Sequence, residues 1–241
     1  MFTKKWEKKL MHFKEKVQFI CEKNNWNFDK LHQYVELIEQ KNKVMNLTGF
    51  TKDKLWEEGI LESLVFMDSI VNENAKTILD VGSGVGFPSL PYAIVRNDLN
   101  FTIYEPLQKR VNFLNMVIQQ LKLKNILVIK DRAENIKEKN LFDIVTARAV
   151  GDVATMLMIS FHLVKLNGKI SLIKGIKYQE ELKHAQPILK LLKCSIAVNL
   201  LENSYSTKQN YVINIVKLRS TPKQFPFLWK EIVKFKKIDS N

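Results

Sequence analysis

Apolar residues in the first third of the chain recur at helical spacing. Trp6, Leu10, Phe13, Val17 and Ile20 form one stripe with steps of four and three residues, and Leu31, Val35 and Ile38 form a second. Lysines fill the opposite faces, and Asp29 stands where it could cap the second helix. Asn46-Leu47-Thr48-Gly49 breaks the pattern. A third helix is expected over 55–70, broad on its apolar side with Ile60, Leu61, Leu64, Val65 and Met67. A polar loop at Asn72-Glu73-Asn74 then marks a boundary, so residues 1–73 read as a helical cap.

From Thr77 the period changes. Short apolar runs predict strands at 77–82, 101–105, 125–130, 142–146 and 169–173, with helices between them near 89–96, 108–122 and 152–164. A helix around 178–192, a strand around 195–201 and an alternating strand from Tyr211 to Leu218 follow. This is the pattern of an α/β fold with a mostly parallel sheet, ending in a hairpin with one reversed strand. Residues 74–220 form this second unit and 221–241 a basic tail. The tail reads two ways: Phe235 among lysines could stack on a nucleic-acid backbone, or Leu228, Trp229, Ile232 and Phe235 could dock a short helix.

The first expected strand runs straight into Asp80-Val81-Gly82-Ser83-Gly84-Val85-Gly86-Phe87-Pro88. Glycines at every second position let the backbone turn sharply and approach a ligand, and Pro88 suits the first turn of the following helix. Strand, glycine turn and helix make the nucleotide-binding corner of a doubly wound sheet. The dinucleotide fingerprint, however, has its third glycine where this chain has Phe87, and an apolar residue where it has Asp80. Glu105, closing the next strand, stands where a carboxylate can hold ribose hydroxyls. An acid, three alternating glycines and a strand-end acid resemble the S-adenosylmethionine pocket of a Rossmann-like class I methyltransferase. The cofactor's ammonium would give Asp80 a partner.

Composition adds a partner. The formal charge is +13, carried mostly by lysine because the chain has only five arginines. Such a surplus favours a polyanion, with nucleic acid first among candidates. The two cysteines lack metal-ligand spacing, so neither a zinc site nor a disulfide scaffold is expected. No apolar run approaches the roughly 20 residues that span a bilayer, and no secretory leader opens the chain. A cytoplasmic monomer without metal is the expectation.

The strand ends carry the candidate chemistry. Asp131-Arg132-Ala133-Glu134 follows the third strand, where Ala133 and Glu134 can meet an adenine edge. Ala147-Arg148-Ala149 follows the fourth, where ligands gather, and its arginine can hold substrate or cofactor. Lys174 and Arg110 are candidate substrate contacts. No histidine or cysteine sits at a strand end, and the motifs for exocyclic-amine or pyrimidine-carbon methylation are missing. Guanine N7 needs neither, because its lone pair carries no proton.

Asn46-Leu47-Thr48, Gly59-Ile60-Leu61-Glu62-Ser63-Leu64, Leu79 to Pro91, Lys109-Arg110, Asp131 to Glu134, Phe142 to Ala149 and Lys174-Gly175 occur in this order. Together they resemble the ribosomal RNA small subunit methyltransferase G family, also called glucose-inhibited division protein B. The resemblance implies methyl transfer from S-adenosylmethionine to guanine N7 in the decoding-region (530) loop of 16S rRNA, on naked RNA or on the small subunit. It also implies cofactor contacts at Gly82, Phe87, Ala133, Glu134 and Arg148. Asp80, Gly84 and Glu105 join that set from the reading of the residues above, although Glu105 stands where family members usually carry aspartate. Gly59 and Glu62 replace a usual histidine and aspartate. A small-molecule methyltransferase and a non-enzymatic RNA-binding factor remain as alternatives at this point.

Overall fold

The computed structural model describes residues 12–202 and 209–238; Trp6 and Leu10 lie outside them. Helix α1 (Phe13–Asn24) begins with the His12 N–H donating to Glu15 Oε2 at 3.0 Å and ends where Asn25 turns left-handed, with φ 56°. Helix α2 (Phe28–Met45) is capped by Asn27, whose side chain accepts the Lys30 N–H at 3.0 Å. The cap is therefore not Asp29, which sits inside the first turn. Two residues separate a cap from a first-turn acid, and both positions favour Asp and Asn.

The third helical stretch is not uniform. A turn at Lys52–Lys54 widens into a π-helical segment, Leu55–Leu61, before regular α3 (Glu62–Ile70). π-turns inside helices are rare and concentrate at functional sites.

Seven strands form one sheet: β1 (Thr77–Val81), β2 (Asn100–Tyr104), β3 (Ile126–Ile129), β4 (Phe142–Ala147), β5 (Val164–Lys174), β6 (Cys194–Leu200) and β7 (Tyr211–Lys217). Their order is β3-β2-β1-β4-β5-β7-β6, and β7 alone runs against its neighbours. The crossovers reverse direction between β1 and β4. That junction is the switch point at which ligands bind outside the carboxyl ends of the strands.

Helices α4 (Ser89–Val95), α5 (Gln108–Gln120), α6 (Val153–Ser160), α7 (Tyr178–His184), α8 (Gln186–Leu191) and α9 (Trp229–Ile238) cover the sheet. The expected helix at 178–192 is two helices. Pro187 has no N–H to give, so it is accommodated only in the first turn of a new helix. The expected helix at 152–164 stops at Ser160 and tightens into a 3₁₀ turn, Phe161–Leu163, which feeds β5 five residues earlier than the apolar run suggests.

Strand alternation splits the core into two layers. Ile78, Phe101, Ile103 and Ile144 face α1 to α5, whereas Leu79, Val145, Ile170 and Ile213 face α6 to α9. The cap helices share the first layer with the sheet: Val17, Leu31, Tyr34 and Ile38 are fully buried in it. No helix among the described residues is long and apolar enough to cross a membrane.

Away from the switch point, Lys217 and His162 are buried. Lys217 Nζ donates to Asn140 Oδ1 at 2.7 Å and to the carbonyls of Val164 and His162 at 2.6 and 3.3 Å. His162 Nε2 donates to the Ile136 carbonyl at 2.9 Å, while Nδ1 is buried without a partner. Burial first, and then Lys139 and Lys217 nearby, push the imidazole pKa down to about 4. A histidine depressed in the folded state binds its proton more readily unfolded, so stability present above about pH 6.5 is lost as pH falls toward 4. The loss attributable to this ring is about 3 kcal/mol at most. Denaturant titrations of His162→Gln over that range should show a flatter acid decline than wild type; an identical decline would remove the ring from the account.

Candidate active site

β1 delivers the chain to the switch point, and the glycine turn follows. Gly82 and Gly84 have φ of 68° and 65°, a region that side chains rarely enter. A Cβ added at Gly82 would lie 2.9 Å from Val150 Cγ2, so the β4 loop already occupies that space. Two restraints hold the turn. Glu105 Oε2 accepts the Gly84 N–H at 3.0 Å, and the buried Tyr34 hydroxyl donates to the Val85 carbonyl at 2.7 Å. The cap thus touches the glycine turn directly. Pro88 lies just before α4 rather than within its first turn, which starts at Ser89.

Asp80 is fully buried at the end of β1. Its Oδ2 accepts the Ser89 N–H at 3.2 Å, but Oδ1 has no hydrogen-bond partner. Burial pushes its pKa up to about 7, opposed by the Ser89 bonds and the Arg148 charge. Glu105 is also buried, at the end of β2. Besides Gly84 it accepts the Leu107 N–H at 3.0 Å, and Arg110 Nη1 lies 3.7 Å away. Its carboxylate therefore braces the glycine turn, with lone pairs to spare for a further donor.

Arg148, after β4, lies between cap and sheet with only 12% of its side chain exposed. Its Nη1 donates to the Glu58 carbonyl at 2.6 Å and to Glu62 Oε1 at 3.2 Å, and Asn210 donates to the other Glu62 oxygen. The guanidinium carbon lies 5.0 Å from the Phe87 ring centre and 5.8 Å from that of Phe50. Burial lowers its pKa, while Glu62 and Asp80 oppose that shift. Ala149 next door holds a left-handed φ of 58°, a strained conformation of the kind that collects at functional sites.

These elements enclose a two-part cleft. One part, about 310 Å³, is lined by Gly82, Tyr104, Glu105, Leu107, Arg110, Ala133, Glu134 and Val150 among others. The other is lined by Gly82, Gly84, Phe87, Arg110, Arg148, Ala149 and the loop Asn46–Phe50. Gly82, Arg110 and Ala149 belong to both. The sequence candidates thus converge, with Asp80 buried beside the turn and Lys174 as the exception. Lys174 Nζ donates to the Gly151 carbonyl at 2.6 Å and pairs with Glu181 at 2.8 Å, which ties the loop after β4 to α7 and away from the cleft lining. Contributors that the sequence reading missed are Phe50, Val150 and Trp229. The Asn46–Phe50 loop was visible as a helix break but not as a wall. Asn42 shapes it, accepting the Leu47 and Thr48 N–H groups and donating to the Thr48 carbonyl. No group of potential metal ligands occurs among the described residues.

Comparison with known proteins agrees with this geometry. A family model described as GidB, rRNA small subunit methyltransferase G, matches residues 27–204. A protein of Mycoplasmopsis pulmonis named ribosomal RNA small subunit methyltransferase G is 35% identical over 85% of this chain and 91% of its own length. One of the same name from Mycoplasma mobile is 40% identical over 73% of this chain and 81% of its own. Among solved structures, a SAM-dependent O-methyltransferase from Thermotoga maritima superposes with a TM-score of 0.54 at 13% identity, covering 79% of this chain and 73% of that one, which speaks to the fold. With its class I sheet, glycine turn and paired acids, the chain belongs to the rRNA small subunit methyltransferase G family and is an S-adenosylmethionine-dependent methyltransferase.

Proposed function

We propose that this protein, acting in the cytoplasm as a monomer, methylates N7 of a guanine in the decoding-region loop of 16S rRNA. The observation that carries the reading is the second half of the cleft. It is flanked by Arg110 and Arg148 and the Asn46–Phe50 loop, it joins the acid-and-glycine half at Gly82, and no histidine or cysteine lines either half. Family membership and the +13 charge support an RNA substrate.

The residues fit S-adenosylmethionine. The orphaned Oδ1 of Asp80 is a buried acceptor in need of a donor, and the turn leaves open space at Gly84, where an added Cβ would meet nothing nearer than Arg110 Cζ at 3.9 Å. Asp80 would hold the amino group, Glu105 the ribose hydroxyls, and Ala133 with Glu134 the adenine edge. When bound, this cofactor supplies an electrophilic methyl group on a sulfonium.

The protein's own part is placement. Guanine N7 presents a lone pair with no proton to remove, so a general base has no task. Arg148, fixed by Glu62 and the Glu58 carbonyl, and Phe87 beneath it form a rigid flank at the substrate end. A reaction without proton transfer gains chiefly from alignment and from a preorganised field.

Three measurements test this. Labelled methyl transfer to small subunits from a strain lacking the gene should mark a single guanine, mapped by cleavage specific to N7-methylguanine. Label at another nucleotide would reassign the specificity. Arg148→Ala should cut transfer about 100-fold and cost about 3 kcal/mol of stability by stranding Glu62. Adding Glu62→Gln should restore the stability but not the activity, and recovery of both would make Arg148 merely structural. Pairing of Asp80 with an ammonium requires the carboxylate, so cofactor binding should release a proton. Affinity should then rise from pH 5.5 to 7, as read by calorimetry in buffers of different ionisation heat. An Asp80→Asn variant with the same pH slope would break that assignment.

A further inference from the structure

The family match ends at residue 204, yet the first half of the cleft is completed by residues beyond it. Trp229 and Lys236, both on α9, line it together with Tyr104, Leu107, Val150 and Ile159. The helix is docked rather than trailing. Ile232 is fully buried, Phe225 nearly so, and the Phe235 ring lies 5.0 Å from that of His184. The Phe227 N–H donates to the Met158 carbonyl at 3.1 Å, which fixes the approach of the helix to α6. Leu228 N–H donates to Glu231 Oε2 at 2.8 Å and closes the first turn.

Anchored in this way, the helix leaves Trp229 half exposed, at 50%, on the rim of the cleft. The Arg132 guanidinium carbon sits 5.3 Å from the indole centre, and Arg132 Nη1 in turn lies 3.5 Å from Glu134. The indole is therefore held by the same loop that carries Ala133 and Glu134. Leu107, 46% exposed, and Val150, 40% exposed, leave further apolar surface uncovered on the cleft wall. Apolar walls with acids and an N–H-rich loop at the edge suit a flat heteroaromatic ring with a polar rim.

We propose that the C-terminal helix is part of the cofactor site and that Trp229 closes its adenine end. This rests on reading the cleft as the S-adenosylmethionine site. It gives the tail a role in holding the cofactor, in addition to the docking that is one of the two readings of its sequence.

The test uses the full chain with S-adenosylhomocysteine as probe, by calorimetry. Trp229→Ala should weaken binding about tenfold, whereas Trp229→Phe, which keeps an aromatic face, should stay within about twofold. Thermal midpoints of both variants should match wild type, because the indole is half exposed and the anchors are elsewhere. Adenosine alone should quench part of the tryptophan emission of the wild type, and Trp229→Phe should lose that change. Equal affinity of wild type and Trp229→Ala, with S-adenosylhomocysteine bound by both, would overturn the proposal while leaving the cofactor reading intact. Failure of the wild type itself to bind would overturn both together.

Discussion

A guanidinium withdrawn from water must be paired, and the loss of either partner leaves the other as a buried charge. Arg148 imposes that constraint on this structure. Its partners come from three separate stretches of chain: the Glu58 carbonyl and the Glu62 carboxylate from the cap, the Phe87 ring from the glycine turn, and Asn210, which binds Glu62, from the approach to β7. The cap cannot slide over the sheet without unpairing this charge. The same constraint accounts for Gly59. A Cβ there would lie 2.8 Å from Phe87 Cζ and 2.9 Å from Leu55 Cδ1. Any side chain at this place would displace the ring on which Arg148 rests. The π-helical segment around Gly59 brings its backbone against Phe87, and Glu62 then reaches both Arg148 and Asn210 from the next turn.

Much of this was legible in the sequence because it is local. Short apolar runs and one alternating segment gave the strands, the alternating glycines gave the turn, and strand-end acids gave the carboxylates beside it. What failed to show depends on contacts between distant residues. Nothing near Lys174 signals that Glu181 and the Gly151 carbonyl will take its charge. The apolar residues around Trp229 allow a docked helix, but nothing near them signals that the indole will line the cleft together with Ile159. Asn27 and Asp29 are both good caps, and only the geometry of the preceding turn chooses between them. The early start of β5 depends on pairing between Phe142 and Val164 across a register shift, which no local pattern encodes.

The charge inventory separates two tasks. Four of the five arginines are paired within the structure: Arg96 with Asp98, Arg110 with Glu105, Arg132 with Glu134 and Arg148 with Glu62. Three of these four line the cleft, and the Arg148 guanidinium donates a hydrogen bond to its carboxylate, which sets direction as well as distance. The surplus of positive charge is therefore a lysine surplus. Lysine offers a compact, strongly hydrated charge on a flexible stem, which suits phosphates met at many angles and carries little directional information. The residues that order the site and those that would draw a polyanion to it are thus of different types. Added salt would then screen the attraction to a nucleic acid, while the Arg148–Glu62 pair, with side chains only 12% and 10% exposed, would be screened far less.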